Sequence, residues 1–137
     1  MEHTLTILKP DTVQAGNLGA VTAMIEGKGF RILAAKMLHL SPKEARGFYA
    51  VHRERGFFED LVAFMTEGPV MVMVLEAEDA IQELRQLMGA TDPGEAEEGT
   101  IREKFGTNIE RNAIHGSDAP ETAAVEISYF FSRLEMF

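Results

Sequence analysis

Residues 70–76 read VMVMVLE, and the fold follows from how this run is read. A β-branched valine recurs at every second position with methionine between, and no polar residue interrupts until Glu76. That composition, in a segment too short for a typical helix, predicts a buried strand. EGP at 67–69 stops whatever precedes it, and Asp79 opens a helix after it. In that following helix Ala80, Ile81, Leu84, Leu87 and Met88 keep helical spacing and face inward.

Upstream of the run the chain predicts a pair of helices. The first begins at SPKE (41–44): Ser41 caps, Pro42 suits the first helical position, and Glu44 reaches back as a capping box. It is expected to run to about Val51, and its partner from Phe57 to Thr66. Further back, HTLTILK (3–9) alternates with period two and predicts a strand closed by Pro10 and Asp11. Leu18, Val21, Met24 and Ile25 predict a helix ended by Gly27 and Gly29, and FRILAAKMLHL (30–40) predicts a second strand. Downstream, GATDPGEAEEG (89–99) leads to a short helix near Thr100 to Phe105. NAIHGSD (112–118) is then expected to form a short strand or extended segment. Asp118 as cap, Pro120 and Glu121 as a second capping box start a last helix with an inner stripe of Ala123, Ala124, Ile127, Phe130 and Phe131. The order predicts an α+β fold: a ferredoxin-like βαββαβ antiparallel sheet of four strands, covered by helices on one face, with an inserted helical pair.

No repeat, low-complexity segment or linker divides the 137 residues, so residues 1–137 are expected to form a single domain. Apolar residues make up 45% of the chain, which excludes a disordered protein. Cysteine is absent, which excludes disulfides, thiolate zinc sites and cysteine nucleophiles. The opening MEHTLTILKPD carries an acid and enters alternation at once, unlike a signal peptide, and no apolar run approaches the roughly 18 residues of a spanning helix. A cytoplasmic location is the expectation. A net charge of −9 argues against nucleic acid and acidic membrane surfaces as partners. Any phosphorylated substrate must therefore be met by a few locally placed cations.

Four histidines occur, His3, His39, His52 and His115, none at the i, i+4 spacing of a helical zinc motif, so metal ligation by side chains is not expected. His3 and His39 lie at strand ends, and His52 follows an amphipathic helix. His115 differs, because Gly116 clears the position beside it and a capped helix fixes the backbone just after. Imidazole is a nucleophile largely neutral near pH 7 and can take a phosphoryl group without a separate base. A phosphoryl acceptor needs cations for the charge of the transition state, and Lys9, Arg85 and Arg102 are the candidates. The phosphate loops of other kinases, G-x-x-x-x-G-K-[ST] or a glycine-rich loop with H-R-D and D-F-G, are missing. Tyr49, Phe57 and Phe58 bracket the turn between the paired helices, where an outward aromatic could stack on a base of any identity.

Taken together, TLTILKPD (4–11), GFYAVHRERGFF (47–58), FMTEGPV (64–70), LMGATDP (87–93), GTIREKFG (99–106) and NAIHGSD (112–118) resemble the nucleoside diphosphate kinase family, in its order and over nearly the whole chain. The resemblance implies a ping-pong reaction: a nucleoside triphosphate, mainly ATP, phosphorylates a histidine, which passes the group to a nucleoside diphosphate and so maintains NTP and dNTP pools. By that resemblance His115 is the nucleophile. Lys9 contacts phosphate and sugar, Asn112 the ribose, and Arg85, Thr91 and Arg102 the phosphates. Tyr49 lies near the transferred group and Phe57 stacks on the base. Glu126 binds the other ring nitrogen, with Ser117 nearby. Mg2+ arrives bridging the nucleotide's phosphates. The resemblance also implies a homo-oligomer, tetramer or hexamer with a dimer possible. Two departures stand out. Gly56 replaces a proline common in the family, which predicts a more mobile turn. The tail ends at Met136-Phe137, earlier than in many members, which bears on subunit contacts.

Overall fold

The computed structural model describes residues 1–137. Its sheet is built from β1 (Glu2–Leu8), β2 (Arg31–Leu38), β3 (Val70–Ala77) and β4 (Ile114–Gly116) in the spatial order β2-β3-β1-β4. Every neighbouring pair is antiparallel, which is the ferredoxin-like arrangement expected. The helices are α1 (Pro10–Gln14), α2 (Leu18–Gly27), α3 (Pro42–Phe48), α4 (Phe58–Met65), α5 (Ala80–Met88), α6 (Ile101–Phe105) and α7 (Pro120–Phe130), with 3₁₀ turns at Ala50–His52, Pro93–Glu95 and Arg133–Glu135. None of these helices is long and apolar enough to cross a membrane.

Both faces of the sheet are covered, which corrects the expectation of one. Leu5, Ile7, Val70, Val72 and Val74 pack with Ala45, Val62, Met65 and Phe130 from α3, α4 and α7. Leu8, Met73 and Leu75 point the other way and pack with Val21, Ile25, Leu84, Met88 and Ile101 from α2, α5 and α6. The reason lies in VMVMVLE itself: a strand with one wet face alternates apolar and polar, and this run has nothing polar to offer water. Full burial of side chains such as Leu84 and Met88 contributes about 1.5–3 kcal/mol each.

Helix boundaries differ from expectation in four places. Pro10 ends β1 and also starts α1, because a proline at the first helical position loses no hydrogen bond. The helix from Pro42 stops at Phe48, where Tyr49 leaves the helical region and a 3₁₀ turn follows. The capping box at Ser41 and Glu44 is present as read, with hydrogen bonds of 3.1 and 2.8 Å. Asp118 does not cap α7: with Pro120 in its first turn the cap falls one residue later, on Ala119, whose N–H donates to the Thr122 hydroxyl at 3.0 Å. Glu121 is left in solvent, and so is Ala124, which drops out of the inner stripe. Asp79 precedes α5 without a side-chain cap, and the Glu2 carboxylate accepts from the Ile81 N–H at 2.8 Å instead.

Gly89 closes α5 with φ 86° and ψ −179°, a region essentially restricted to glycine. A Cβ there would also lie 2.5 Å from Oγ1 of Thr100, the residue that caps α6. Gly89→Ala is expected to cost about 2 kcal/mol through strain and this clash. A urea melt checks it, and an unchanged midpoint would contradict the backbone assignment.

Candidate functional site

β4 has three residues, and its pairing with β1 decides where each points. His115 stands opposite Ile7, so its ring projects to the face carrying Leu5, Val72 and α7. Gly116 stands opposite Thr6 and faces α5. A Cβ at Gly116 would lie 2.6 Å from Sδ of Met88 and 3.1 Å from Cδ2 of Leu84. The glycine therefore makes room for α5, and the reading that it clears space beside the imidazole is corrected.

The His115 ring lies among aromatics and one carboxylate. Phe48 meets it edge-on at 5.4 Å between centroids and Tyr49 at 6.3 Å. Nε2 lies 2.9 Å from Oε1 of Glu126 on α7, and the Ser117 hydroxyl donates to the same oxygen at 2.8 Å. Ser117 is itself fully buried, its N–H bonded to the Leu5 carbonyl and its Oγ accepting from the Leu5 N–H. With Nε2 committed, Nδ1 has no protein partner, and the side chain is 20% exposed, so the ring remains open to solvent. The Tyr49 hydroxyl is buried without a hydrogen bond. Burial, reinforced by Glu126, raises its pKa and keeps it a neutral phenol.

Three cations from distant parts of the chain flank His115: Lys9 and Arg102 bond the segment that leads into it, and Arg85 pairs with Asp118 just after it. Lys9, at the end of β1, is 7% exposed and its Nζ donates to Oδ1 of Asn112 at 2.8 Å. Arg102 on α6 is equally buried and donates to the carbonyls of Gly89 at 3.0 Å and Ile114 at 2.8 Å, while its Nε has no partner. Arg85 on α5 pairs with Asp118 at 2.8 Å in a half-exposed ion pair. Burial lowers the Lys9 pKa to about 8, with the Arg102 charge adding to the effect. Burial lowers that of Arg102 to about 10, with Arg85 adding to it. Buried like charges without a paired carboxylate are unfavourable alone and are what an incoming polyanion relieves.

Asn112 also donates to the Thr91 carbonyl at 3.0 Å, which ties the loop after α5 to the site, while the Thr91 side chain is exposed. Phe57 stands apart: it is 47% exposed at the helix-pair turn, its ring 5.8 Å from that of His52, with no contact to His115. Sequence reasoning left Phe48 among ordinary helix residues, took Asp118 for a cap, read Asp11 only as part of a strand stop, and did not single out Thr12. Asp11 and Thr12 hold the backbone just before His115, through the Ala113 N–H at 3.0 Å and the Ala113 carbonyl at 2.9 Å. The signal available for them was their place beside Lys9 in LKPDT. His3 pairs with Glu76 at 3.0 Å at the sheet surface, and His39 bonds the Thr66 carbonyl at 2.9 Å.

Comparison with known proteins points the same way. A family model described as nucleoside diphosphate kinase matches residues 2–136. The nucleoside diphosphate kinase of Nitrosomonas eutropha is 58% identical over 137 residues, spanning 100% of this chain and 97% of that protein. That of Desulfosudis oleivorans is 59% identical over 136 residues, 99% and 98% of the two chains. Among solved structures, the Aquifex aeolicus nucleoside diphosphate kinase superposes with a TM-score of 0.98 at 48% identity, covering 99% of each chain. A halophilic nucleoside diphosphate kinase from Halobacterium salinarum in complex with CDP superposes at 0.95 with 40% identity, covering 99% of this chain and 91% of that one.

A lysine with a pKa of about 8 is charged below that pH and neutral above it, so its contribution to holding an anion is lost as pH rises through about 8. Affinity for pyrophosphate, followed by calorimetry, is expected to weaken on crossing that range, with the midpoint displaced upward in the bound state. Lys9→Arg removes the transition, since a guanidinium stays charged. A profile unchanged between the two would show that Lys9 does not face the anion.

Proposed function

The chain belongs to the nucleoside diphosphate kinase family and is a phosphotransferase, and we propose that it moves the terminal phosphate through His115. The observation that carries the assignment is the pairing of Nε2 with Glu126. A carboxylate at 2.9 Å holds the proton on Nε2, and this tautomer leaves the lone pair on Nδ1, the solvent-facing nitrogen. Glu126 is in turn oriented by the Ser117 hydroxyl.

Nδ1 attacks the terminal phosphorus of a nucleoside triphosphate. The N–P bond forms as the bond to the bridging oxygen breaks, and the nucleoside diphosphate leaves with that electron pair. As the imidazole takes positive charge, the Glu126 carboxylate stabilises it. A second nucleoside diphosphate then attacks the phosphohistidine through a terminal phosphate oxygen: the O–P bond forms as the N–P bond breaks, and the electron pair returns to Nδ1, which restores the neutral ring. Lys9, Arg85, Arg102 and the side chain of Thr91 hold the phosphates, and Tyr49 donates its unpartnered hydroxyl toward the transferred group. Asn112 meets the ribose beside Lys9, to which it is already bonded. Phe57 offers the base a π-face, a contact that every base can make and that therefore predicts little selectivity among bases. ATP serves as the main donor, and NTP and dNTP pools are the beneficiaries.

The donor set fits a magnesium ion carried by the nucleotide rather than one caged by protein. No three carboxylates or histidines converge, Glu126 is committed to His115 and Ser117, and Asp118 is committed to Arg85. When bound, the ion would neutralise and align phosphate oxygens facing the cations. The remainder of the reading is that residues 1–137 act as one domain, in the cytoplasm, within a homo-oligomer. The half-buried and exposed apolar residues Met37, Leu134 and Phe137 beside the edge strand β2 support an assembly.

His115→Asn keeps a side chain of similar reach and is expected to leave the far-ultraviolet spectrum intact while transfer from ATP to a second diphosphate falls by several orders of magnitude. Mass spectrometry of the native protein after brief exposure to ATP is expected to find one phosphate on His115. Turnover by the variant, or a phosphate on another residue, would overturn the assignment.

A further inference from the structure

Lys9, Asp11 and Thr12 converge on the backbone of one residue, Ala113, that phosphate transfer, as derived above, does not use. Ala113 is fully buried and has φ 75°, in the left-handed region, where a Cβ clashes with the following carbonyl. Its N–H donates to Oδ2 of Asp11 at 3.0 Å. Its carbonyl accepts from the Lys9 N–H at 2.9 Å and from the Thr12 hydroxyl at 2.9 Å. One residue earlier, Asn112 holds the Lys9 ammonium, and two residues later stands His115.

We propose that Asp11 is a positioning residue for the nucleophile: its carboxylate locks the left-handed turn at Ala113, and that turn sets His115 against Asn112 and Lys9. This deepens the reading of His115 as phosphate carrier and rests on it. The geometry favours a positioning role over a plain helix-start acid. α1 has only five residues, and Asp11 spends one oxygen on a backbone donor from another part of the chain. Its other oxygen, Oδ1, is buried without a partner, a costly arrangement for an acid whose only task is to dress a helix end. An alanine in the left-handed region persists only where its surroundings over-determine it. Here the surroundings are three side-chain and backbone groups of residues 9–12, and Asp11 is the one acceptor for the Ala113 N–H. Released, Ala113 returns to the ordinary region and rotates the peptides on either side. Asn112 and His115 then move relative to each other, and a displacement of about 1 Å at a reacting centre can cost on the order of a hundredfold in rate.

The test is a cycle of Asp11→Ala, Asp11→Asn, Ala113→Gly and the Asp11→Ala/Ala113→Gly double variant. Steady-state kcat and kcat/KM with ATP and a second diphosphate are measured well below each variant's Tm, with His115 phosphorylation of the native protein as the reference. Asp11→Ala is expected to lose more than about tenfold in kcat/KM while remaining folded, and Asp11→Asn, which keeps an acceptor oxygen, to stay within about threefold. Glycine adopts the left-handed turn without strain, so Ala113→Gly in the Asp11→Ala background is expected to restore most of the loss. A purely structural Asp11 would change Tm without this rescue. Asp11→Ala within about twofold of native, or a double variant no better than Asp11→Ala, overturns the proposal. Where Asp11→Ala alone does not fold, the double variant decides: activity within about threefold of Ala113→Gly supports the positioning role, and a tenfold deficit overturns it. Absence of phosphate on native His115 would instead sink the carrier reading itself.

Discussion

Everything at the site depends on three backbone pairings, Thr6 with Gly116, Ile7 with His115 and Leu8 with Ile114. Alternation along so short a strand allows only two outcomes, and a slip of one residue would bury the imidazole under α5 and turn Gly116 toward α7. The pairing is held at both ends. Before it, Asp11, Lys9 and Thr12 fasten Ala113. After it, Ser117 exchanges hydrogen bonds with the Leu5 backbone, and Thr6 donates to the His115 carbonyl at 2.8 Å. Gly116 adds a steric check, since any larger residue would push against Leu84 and Met88.

From that strand the chemistry can be built with little else. A carboxylate on α7 fixes one ring nitrogen, and the sheet brings the ends of β1, β4, α5 and α6 together so that cations far apart in sequence become neighbours. Electrostatics then resolves the apparent conflict between an acidic protein and a polyanionic substrate. The net charge of −9 is spread over an exterior screened by salt beyond about 10 Å, whereas Lys9 and Arg102 are buried, where a charge at close range is screened far less.

Much of this was legible beforehand, and the exceptions have physical causes. Strand and helix order followed from periodicity, and the capping box at Ser41 was read atom for atom. Two covered faces were written in VMVMVLE, but a polarity count on one strand does not say which helices supply the cover. α1 was hidden because proline both stops a strand and starts a helix. Gly116 was read as space for a substrate when its space belongs to α5, an ambiguity that only the facing residue on β1 removes. Lys9, Arg85 and Arg102 could be named as candidate cations from the residues, but their particular contacts came from family resemblance, because nothing local marks an isolated surface-type cation as one of a set. The contacts of Asp11 and Thr12 went unforeseen for a similar reason: their partner, Ala113, is about a hundred residues away, and an alanine carries no sequence mark of a left-handed backbone.

The buried lysine shows why such a site tends to cost stability. Folding moves Lys9 from water, where its pKa is 10.5, to surroundings that lower it to about 8. Keeping the charge at neutral pH therefore opposes folding by on the order of 3 kcal/mol. The sign is specific: between about 8 and 10.5 the unfolded chain binds the proton that the folded chain releases, so this term weakens as pH rises and folding gains. An apolar residue of the same length would remove the opposition and also the reason for it. A nearby anion favours the charged form of a lysine, so on the proposed function the free energy that burial withholds from the ammonium would be returned on binding one. Arg102, buried with an unpartnered Nε, extends that logic to a second cation. Both cations are thus buried where, on the proposed function, a polyphosphate would complete the local charge distribution.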